Sequence, residues 1–240
     1  MEALQFRLKG KTAFFKMPEV NSYYYFTYGN IHKVSLLGIF GAILGYRGYG
    51  QMTKEDKFPE FYEKLSTLKI AIVPKKESKG YFRKKIQLFN NSVGYASREQ
   101  GGNLIIKQQW LENPEWDIYV MLDCEEARKV KEAIIEKKMI YLPYLGSNDH
   151  PADIENAKVI TIQKIEEDEI DKIDSLFPAK GVELDEADDR IPYKYTEYLP
   201  VGLKPELHTY ELEKMIGTNL SILSHVDEVY EADHRIIMFV

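Results

Sequence analysis

The chain has 240 residues, 44% hydrophobic and 29% charged, which is enough for a sizeable core in one large domain or one domain with an appendage. Its single cysteine, Cys124, excludes an intramolecular disulfide, and its first residues lack a signal-peptide core, so we expect a cytoplasmic protein. The net charge of −6 hides an asymmetry, because residues 1–110 carry 18 Lys and Arg against 8 Asp and Glu, and residues 111–240 carry 14 against 30. A basic half favours a polyanionic partner; the alternative is that the charges mix when the chain folds.

Period-two alternation predicts a first strand at residues 4–8, followed by an aromatic-rich loop at 23–28. Residues 35–45 are almost wholly apolar and predict a buried helix, capped by Ser35 and ended by Gly45. Its length of about 16 Å is too short to cross a membrane. Gly38 and Gly41 leave a face without side chains, which admits another backbone or a ligand phosphate; tight packing on a sheet is the alternative.

The rest of the first two thirds alternates strands and helices. A helix is predicted at 58–65 and a strand at 68–73. Strands at 81–89 and 104–110, joined by a long polar segment, predict a projecting hairpin. A strand at 115–122, a helix at 124–138 capped by Asp123, a short strand at 139–142 and a strand at 158–165 complete this part.

This order of elements predicts an α+β fold with a ferredoxin-like antiparallel sheet and helices over residues 1–165. Beyond it, acidic runs at 166–169 and 183–189 predict solvated surface rather than a calcium loop, because the acidic spacing and central glycine of such a loop are absent. Short strands at 191–199, 207–212, 226–230 and 235–240 predict a small β-rich C-terminal part over 166–240.

Signatures of catalysis and cofactor binding are absent from the sequence. Gly10-Lys11-Thr12 lacks the upstream glycine of a P-loop, and the sequence has no dinucleotide fingerprint and no nucleophile elbow. No Cys-x-x-Cys and no pair of histidines four residues apart indicate zinc, so we expect neither a metal nor a cofactor. Metal-free RNA cleavage would need a general base. His32 beside Lys33 and His150 near Tyr144 are the candidates, although a surface or loop histidine is the favoured interpretation of each.

Three segments together resemble the fifth family of CRISPR-associated proteins, here called the Cas-five family, of the RAMP superfamily. They are Lys16-x-Pro18, Ser35-Leu-Leu-Gly38-x-x-Gly41-Ala42-Ile43-Leu44-Gly45, and Pro143-Tyr-Leu-Gly146 with an acidic residue and Ala152 soon after. The chain is most similar to the type I-B branch. The resemblance covers about residues 3–165, and the glycine-rich segment is its most specific part.

The resemblance implies a modified ferredoxin-like (RRM-like) fold with a β-hairpin thumb, here about residues 87–109. It implies a subunit of the Cascade surveillance complex in antiviral defence, bound to the 5′ handle of the CRISPR RNA (crRNA). The implied partners are the backbone and large subunits, with target DNA reached through the assembled complex. Ser35 and Gly38 would belong to the handle-binding segment.

The other expected RNA contacts come from charge and aromatic character rather than from the family motif. The cations are Lys16, Lys33, Arg47, Lys84, Arg98 and Lys107. The aromatic residues that would stack on bases are Tyr23, Tyr24 and Tyr95.

The type I-C branch of the family is an endoribonuclease with a Tyr, Lys and His set. Here the strand after the thumb reads Lys107-Gln108-Gln109-Trp110, without the adjacent Lys-His pair. We therefore expect a non-catalytic RNA-binding subunit. A metal-independent endoribonuclease that processes precursor crRNA is the alternative, and a module that binds an acidic protein is a third hypothesis.

Overall fold

The structure, a computed structural model, describes residues 1–20, 23–165, 170–185, 191–224 and 228–240. Its three α-helices are α1 (Lys33–Leu44), α2 (Glu60–Leu65) and α3 (Glu125–Ile135). Its strands are β1 (Glu2–Lys9), β2 (Thr12–Ala13), β3 (Tyr24–Tyr25), β4 (Ile70–Pro74), β5 (Lys84–Asn90), β6 (Ile105–Glu112), β7 (Glu115–Met121), β8 (Asp153–Lys164), β9 (Phe177–Pro178), β10 (Lys194–Leu203), β11 (Tyr210–Thr218), β12 (Val229–Ala232) and β13 (Arg235–Met238). Strands thus outnumber helices, and the predicted α+β class is confirmed.

A six-stranded sheet in the order β13-β12-β8-β1-β7-β4 forms the centre of the molecule. β1 is antiparallel to both β7 and β8, and β4 is antiparallel to β7. In the chain, α1 and α2 lie between β1 and β4, whereas α3 lies between β7 and β8. The strands predicted at 4–8, 68–73, 115–122 and 158–165 and the helices predicted at 58–65 and 124–138 are therefore present.

Each face of the central sheet carries a hydrophobic core. The alternation that predicted β1 sends Leu4, Phe6 and Leu8 into one large core with the three helices. The opposite face holds a second core that includes Tyr119. Beyond β13, Val240 exchanges two backbone hydrogen bonds with Ile70 of β4, with N–O distances of 3.0 and 3.1 Å. β12, β13 and the residues after them thus connect one edge of the central sheet to β4 at the other edge, and they contribute side chains to the second core.

Two smaller sheets flank the central one. In the first, β6 pairs with β5 on one side and with β2 and β3 on the other. The predicted hairpin is therefore present as the antiparallel pair β5–β6. The second sheet, β10-β11-β9, packs against α1 through Tyr195, Leu199 and Met215, which belong to the large core.

The start of α1 differs from the prediction. His32, not Ser35, is the capping residue, and its ring accepts a hydrogen bond from the Ser35 amide. The helix therefore begins two residues before Ser35. Its end is as predicted, because Gly45 adopts the left-handed conformation with φ 75°.

Two predictions on the segment around α3 are wrong. Cys124 occupies the capping position, whereas Asp123 forms an ion pair with Lys69 at 3.2 Å. Residues 139–142 form no strand; the amides of Ile140 and Tyr141 instead donate to carbonyls in the last turn of α1. Carbonyls in the last turn of a helix lack donors from a following turn. Here Ile140 supplies the donor for Ile43, and Ala42 accepts from both Gly45 and Tyr141.

Part of the sequence prediction lies outside the described residues. This applies to the acidic run at 166–169, to most of the run at 183–189, and to the beginning of the strand predicted at 226–230. The division of the chain at residue 165 stays a prediction. Within the described ranges, no helix is both long and apolar enough to traverse a lipid bilayer.

Candidate nucleic-acid interface

The two glycines of α1 have different roles. A Cβ at Gly41 would lie 2.4 Å from the Cβ of Phe61, so α2 packs directly on this glycine. A Cβ at Gly38 would meet no atom within 4 Å. Gly41 is thus a position of tight packing, but against helix α2 and not against a sheet as the alternative predicted, whereas Gly38 leaves open space on the same helix.

That open space is a cavity of about 580 Å³, which we call the tyrosine cavity. One wall is formed by six residues of α1: Val34, Ser35, Gly38, Ile39, Gly41 and Ala42. None of the described residues that line it is Lys, Arg, Asp, Glu or His, so its lining carries no side-chain charge. The aromatic residues around it are Tyr46, Tyr49, Phe61, Tyr141, Tyr144 and Tyr210.

The tyrosines differ in how their hydroxyls are used. Tyr46 donates to Glu126 at 2.6 Å. Tyr49, Tyr141 and Tyr144 are exposed, and their hydroxyls make no hydrogen bond to the described residues. Tyr49 is 48% exposed, and its partial burial raises its pKa to about 12, so this hydroxyl stays protonated at neutral pH.

The sequence did not identify Tyr49, Tyr141 and Tyr210 as members of a site. They lie in separate segments, and the fold alone brings them together. The one available signal was the abundance of tyrosine, 17 residues in the chain.

His32 lies beneath this wall and is 2% exposed. Its Nδ1 accepts from the Ser35 amide at 3.3 Å, and its Nε2 is 2.9 Å from Ser35 Oγ. Aromatic rings of Phe15, Tyr28 and Tyr210 surround it at 5.2–6.0 Å between centroids. Burial lowers the pKa of His32 to about 3, so the ring is neutral and both nitrogens are occupied.

His150, the other histidine considered for catalysis, is also buried. Its Nδ1 lies 2.6 Å from Thr12 Oγ1, and its ring packs edge-on against Trp110 at 4.6 Å between centroids. Burial lowers its pKa. The backbone of His150 brings it near Tyr144, as expected, because its carbonyl accepts from the Leu145 amide at 2.7 Å.

The two cations expected beside the glycine-rich helix do not line the cavity. Lys33 lies on the other side of α1, where it borders Leu176 and Leu199, and burial lowers its pKa. Arg47 is exposed and pairs with Glu60 at 3.3 Å. Hydrogen bonds from Lys64 and from the Arg47 backbone lower the pKa of Glu60 to about 2. Ser35 and Gly38 are thus together, whereas Lys33 and Arg47 lie apart from them.

A second surface lies on the sheet built around β6. The register pairs Leu88 with Lys107 and Lys84 with Leu111, and β3 pairs Tyr24 with Lys107. Paired residues share a face of a sheet. Lys84, Lys107 and Tyr24 therefore lie on one face, which we call the hairpin face.

The hairpin face is exposed and only partly polar. Ile86 and Leu88, each 53% exposed, lie between the two lysines, and Ile105 lies beyond Lys107. Lys84 Nζ donates to the Thr27 carbonyl at 3.1 Å. Tyr23, 71% exposed, has φ 59° and its carbonyl accepts from the Lys107 amide at 2.9 Å. The backbone of Tyr23 is thus fixed to β6.

The remaining three predicted contacts lie elsewhere. Lys16 is 4.3 Å from the centroid of Tyr25, which pairs with Gln108 and so faces away from the hairpin face. Tyr95 and Arg98 are exposed in the segment between β5 and β6. The structure thus divides the eleven predicted contacts among the cavity wall, the hairpin face, the hairpin tip and isolated positions.

The described residues contain no group of three or more His, Cys, Asp or Glu side chains placed to hold a metal ion. What the two surfaces offer is a neutral aromatic cavity and an exposed face with separated cations.

No protein-family model and no curated protein matches the sequence. Solved structures do match. A chain from a structure described as "CRISPR RNA-guided surveillance complex" has a TM-score of 0.54 at 13% identity, covering 92% of this chain and 91% of that one. A CRISPR protein from Archaeoglobus fulgidus has a TM-score of 0.50 at 12% identity, covering 99% and 98%. At such identities the likeness shows the fold, so this chain has a fold found in CRISPR-associated proteins.

Proposed function

We propose that the protein is a non-catalytic RNA-binding subunit of a CRISPR effector complex. The observation that carries this proposal is the hairpin face, where Lys84 and Lys107 flank exposed apolar side chains beside Tyr23 and Tyr24. Cations separated along a strand attract successive phosphates, and exposed aromatic rings stack on unpaired bases. The fold shared with CRISPR-associated proteins over nearly the whole chain supports the same function.

The finer assignment is a type I-B-like Cascade subunit of the Cas-five family that holds the 5′ handle of the crRNA. Three observations support it. The strand order β8-β1-β7-β4, with helices between β1 and β4 and between β7 and β8, suits a ferredoxin-like core. The β5–β6 hairpin suits the thumb at residues 87–109. Ser35 and Gly38 share the wall of an open cavity. In this assignment the protein contacts the backbone and large subunits of Cascade.

The endoribonuclease alternative needs a side chain that can take a proton from RNA. His32 and His150 are buried, and burial lowers the pKa of each. His32 also has both ring nitrogens within hydrogen-bond distance of Ser35. These surroundings support the non-catalytic assignment.

The binding test measures the affinity for a labelled repeat-derived handle RNA as a function of salt. We expect a steep fall of affinity with salt and a preference for the handle over unrelated RNA, and tighter binding when the backbone subunit is present. Replacing Lys84 and Lys107 by Gln should lower the salt slope by about 1.4, since each lost contact with single-stranded RNA removes about 0.7.

The matched control replaces Lys180 and Lys204 by Gln, two exposed lysines outside the hairpin. Equal effects of the two double substitutions would refute a specific role of the hairpin face. Binding that is insensitive to salt and to RNA sequence would instead favour the third hypothesis, an acidic protein as partner.

The cleavage test incubates the protein with full-length repeat RNA in the presence of a chelator. We expect the RNA to stay intact. A cut at the base of the repeat hairpin that is lost in His32→Ala or His150→Ala would establish the endoribonuclease and overturn the non-catalytic assignment.

A further inference from the structure

We propose that the tyrosine cavity holds one unpaired nucleobase of the bound RNA. This inference rests on the proposed function. It differs from the expectation that the glycine-rich helix approaches a phosphate, because it assigns the cavity beside Gly38 to a base.

The charge of the lining argues against a phosphate. The described residues around the cavity supply no cation, Lys33 lies on the far side of α1, and Arg47 is paired with Glu60. His32 is buried behind the wall with a strongly lowered pKa, so it adds no positive charge. A phosphate placed here would lose hydration without a compensating cation. A nucleobase is neutral and avoids this cost.

The shape and the free polar groups suit a planar ligand. Gly38 keeps the helix wall flat, since no side chain extends from it into the space. The hydroxyls of Tyr49, Tyr141 and Tyr144 are not used by the described residues. Gln51 accepts from the Gly48 amide through Oε1, which leaves its Nε2 to donate. Aromatic faces stack on any base, and hydroxyl and amide groups bind base edges.

An aliphatic protein side chain fits these observations less well. It would fill the cavity but would bury the hydroxyls of Tyr49 and Tyr141 and the amide of Gln51 without partners. A base supplies both a stacking face and polar edges, so it satisfies these groups while it fills the space.

The test combines an abasic scan of the handle RNA with the substitution Gly38→Leu. Leucine is a good helix former, its Cβ at this position meets no atom within 4 Å, and the rest of its side chain should extend into the cavity. With the native protein, removal of the one base that enters the cavity should weaken binding about tenfold or more. Gly38→Leu should weaken binding of intact RNA to a similar extent and should be insensitive to that one abasic position.

The matched control is Thr67→Leu, which adds a leucine in place of another uncharged residue at an exposed position outside the cavity lining. Tyr141→Ala is the second variant; the side chain is 60% exposed, so its loss should weaken binding while the fold is retained. Circular dichroism verifies that each variant is folded.

Three outcomes are distinguishable. A base in the cavity is supported if the effect of one abasic position disappears in Gly38→Leu and persists in Thr67→Leu. If the native protein and Gly38→Leu bind every abasic RNA with the same pattern, RNA binding stands and the base pocket is refuted. If the native protein binds no handle RNA, alone or with the backbone subunit, the proposed function itself fails.

Discussion

Gly38 and Gly41, one turn apart in α1, should respond in opposite directions to the same change. An alanine in place of a helical glycine stabilises a helix by about 1 kcal/mol because it restricts the unfolded chain and covers the backbone. At Gly38 the added methyl group meets nothing within 4 Å, so Gly38→Ala should stabilise the fold by about 0.5–1 kcal/mol.

At Gly41 the same methyl group would lie 2.4 Å from the Cβ of Phe61. This Cβ is attached directly to the backbone of α2, so the side chain cannot rotate away and the two helices have to move apart. Overpacking of this kind costs about 1–3 kcal/mol, which exceeds the helix gain of about 1 kcal/mol. Gly41→Ala should therefore be about 1 kcal/mol less stable than the native protein, and about 2 kcal/mol less stable than Gly38→Ala.

Urea denaturation followed by tryptophan fluorescence measures both variants, and an unchanged dependence on urea keeps the comparison valid. Each glycine serves as the control of the other, since helix propensity is the same and only the surroundings differ. Equal stability of the two variants, or a more stable Gly41→Ala, would refute the packing of α2 on Gly41 and the open wall at Gly38.

Three further changes test the core. Burial lowers the pKa of His32 to about 3, whereas the ring in the unfolded chain titrates near 6.5. The stability contributed by the neutral ring is therefore complete above pH 6.5. Below this pH the free energy of unfolding falls by up to about 1.4 kcal/mol per pH unit. His32→Asn should lack this part of the loss in denaturation experiments between pH 7 and 4, and an unchanged slope would contradict the prediction. Trp116→Phe should lower the free energy of unfolding by about 1–3 kcal/mol in addition to the loss from packing, because Trp116 Nε1 donates to Asn30 Oδ1 at 2.9 Å in the core and phenylalanine has no donor. Denaturation experiments measure this change. Gly146→Ala should lower the melting temperature sharply, since its Cβ would lie 1.8 Å from the Phe14 carbonyl oxygen at φ 93°; a native-like melting temperature would argue against this turn.

The sequence predicted elements whose signal is local. The alternation in β1 and the acidic first turn of α3 depend only on neighbouring residues, and both elements are present. Residues 139–142 were predicted as a strand because the prediction used only their apolar character, which is a local signal. Their hydrogen bonds go instead to carbonyls of α1, which lie about 100 residues away in the chain. Hydrogen bonds to such distant partners produce no periodic pattern in the sequence.

The candidate site was predictable only in part, for the same reason. Gly38 and Ser35 belong to one continuous segment, so the motif identified them together. Tyr49, Tyr141 and Tyr210 join that segment only after three separate parts of the chain fold against α1. Charge counting also failed near the cavity, since pairing and burial remove Lys33 and Arg47 from it and no local pattern reveals either.

The closure of the central sheet bears on where the proposed RNA contacts can lie. RNA-recognition motifs bind single strands on the open face of a four-stranded sheet, through exposed aromatic residues. Here the face that bears Tyr119 holds a buried core to which the C-terminal strands contribute, and hydrogen bonds between Val240 and Ile70 hold these strands in place. The polar end of the same face is occupied by an ion pair between Arg7 and Asp117. The other face is covered by α1, α2 and α3. The helices and the two cores thus cover most of the central sheet. The hairpin face and the tyrosine cavity are described surfaces that combine aromatic rings with cations or with unused polar groups. They differ in charge, so a strand of RNA that contacts both would place phosphates on the first and a base in the second.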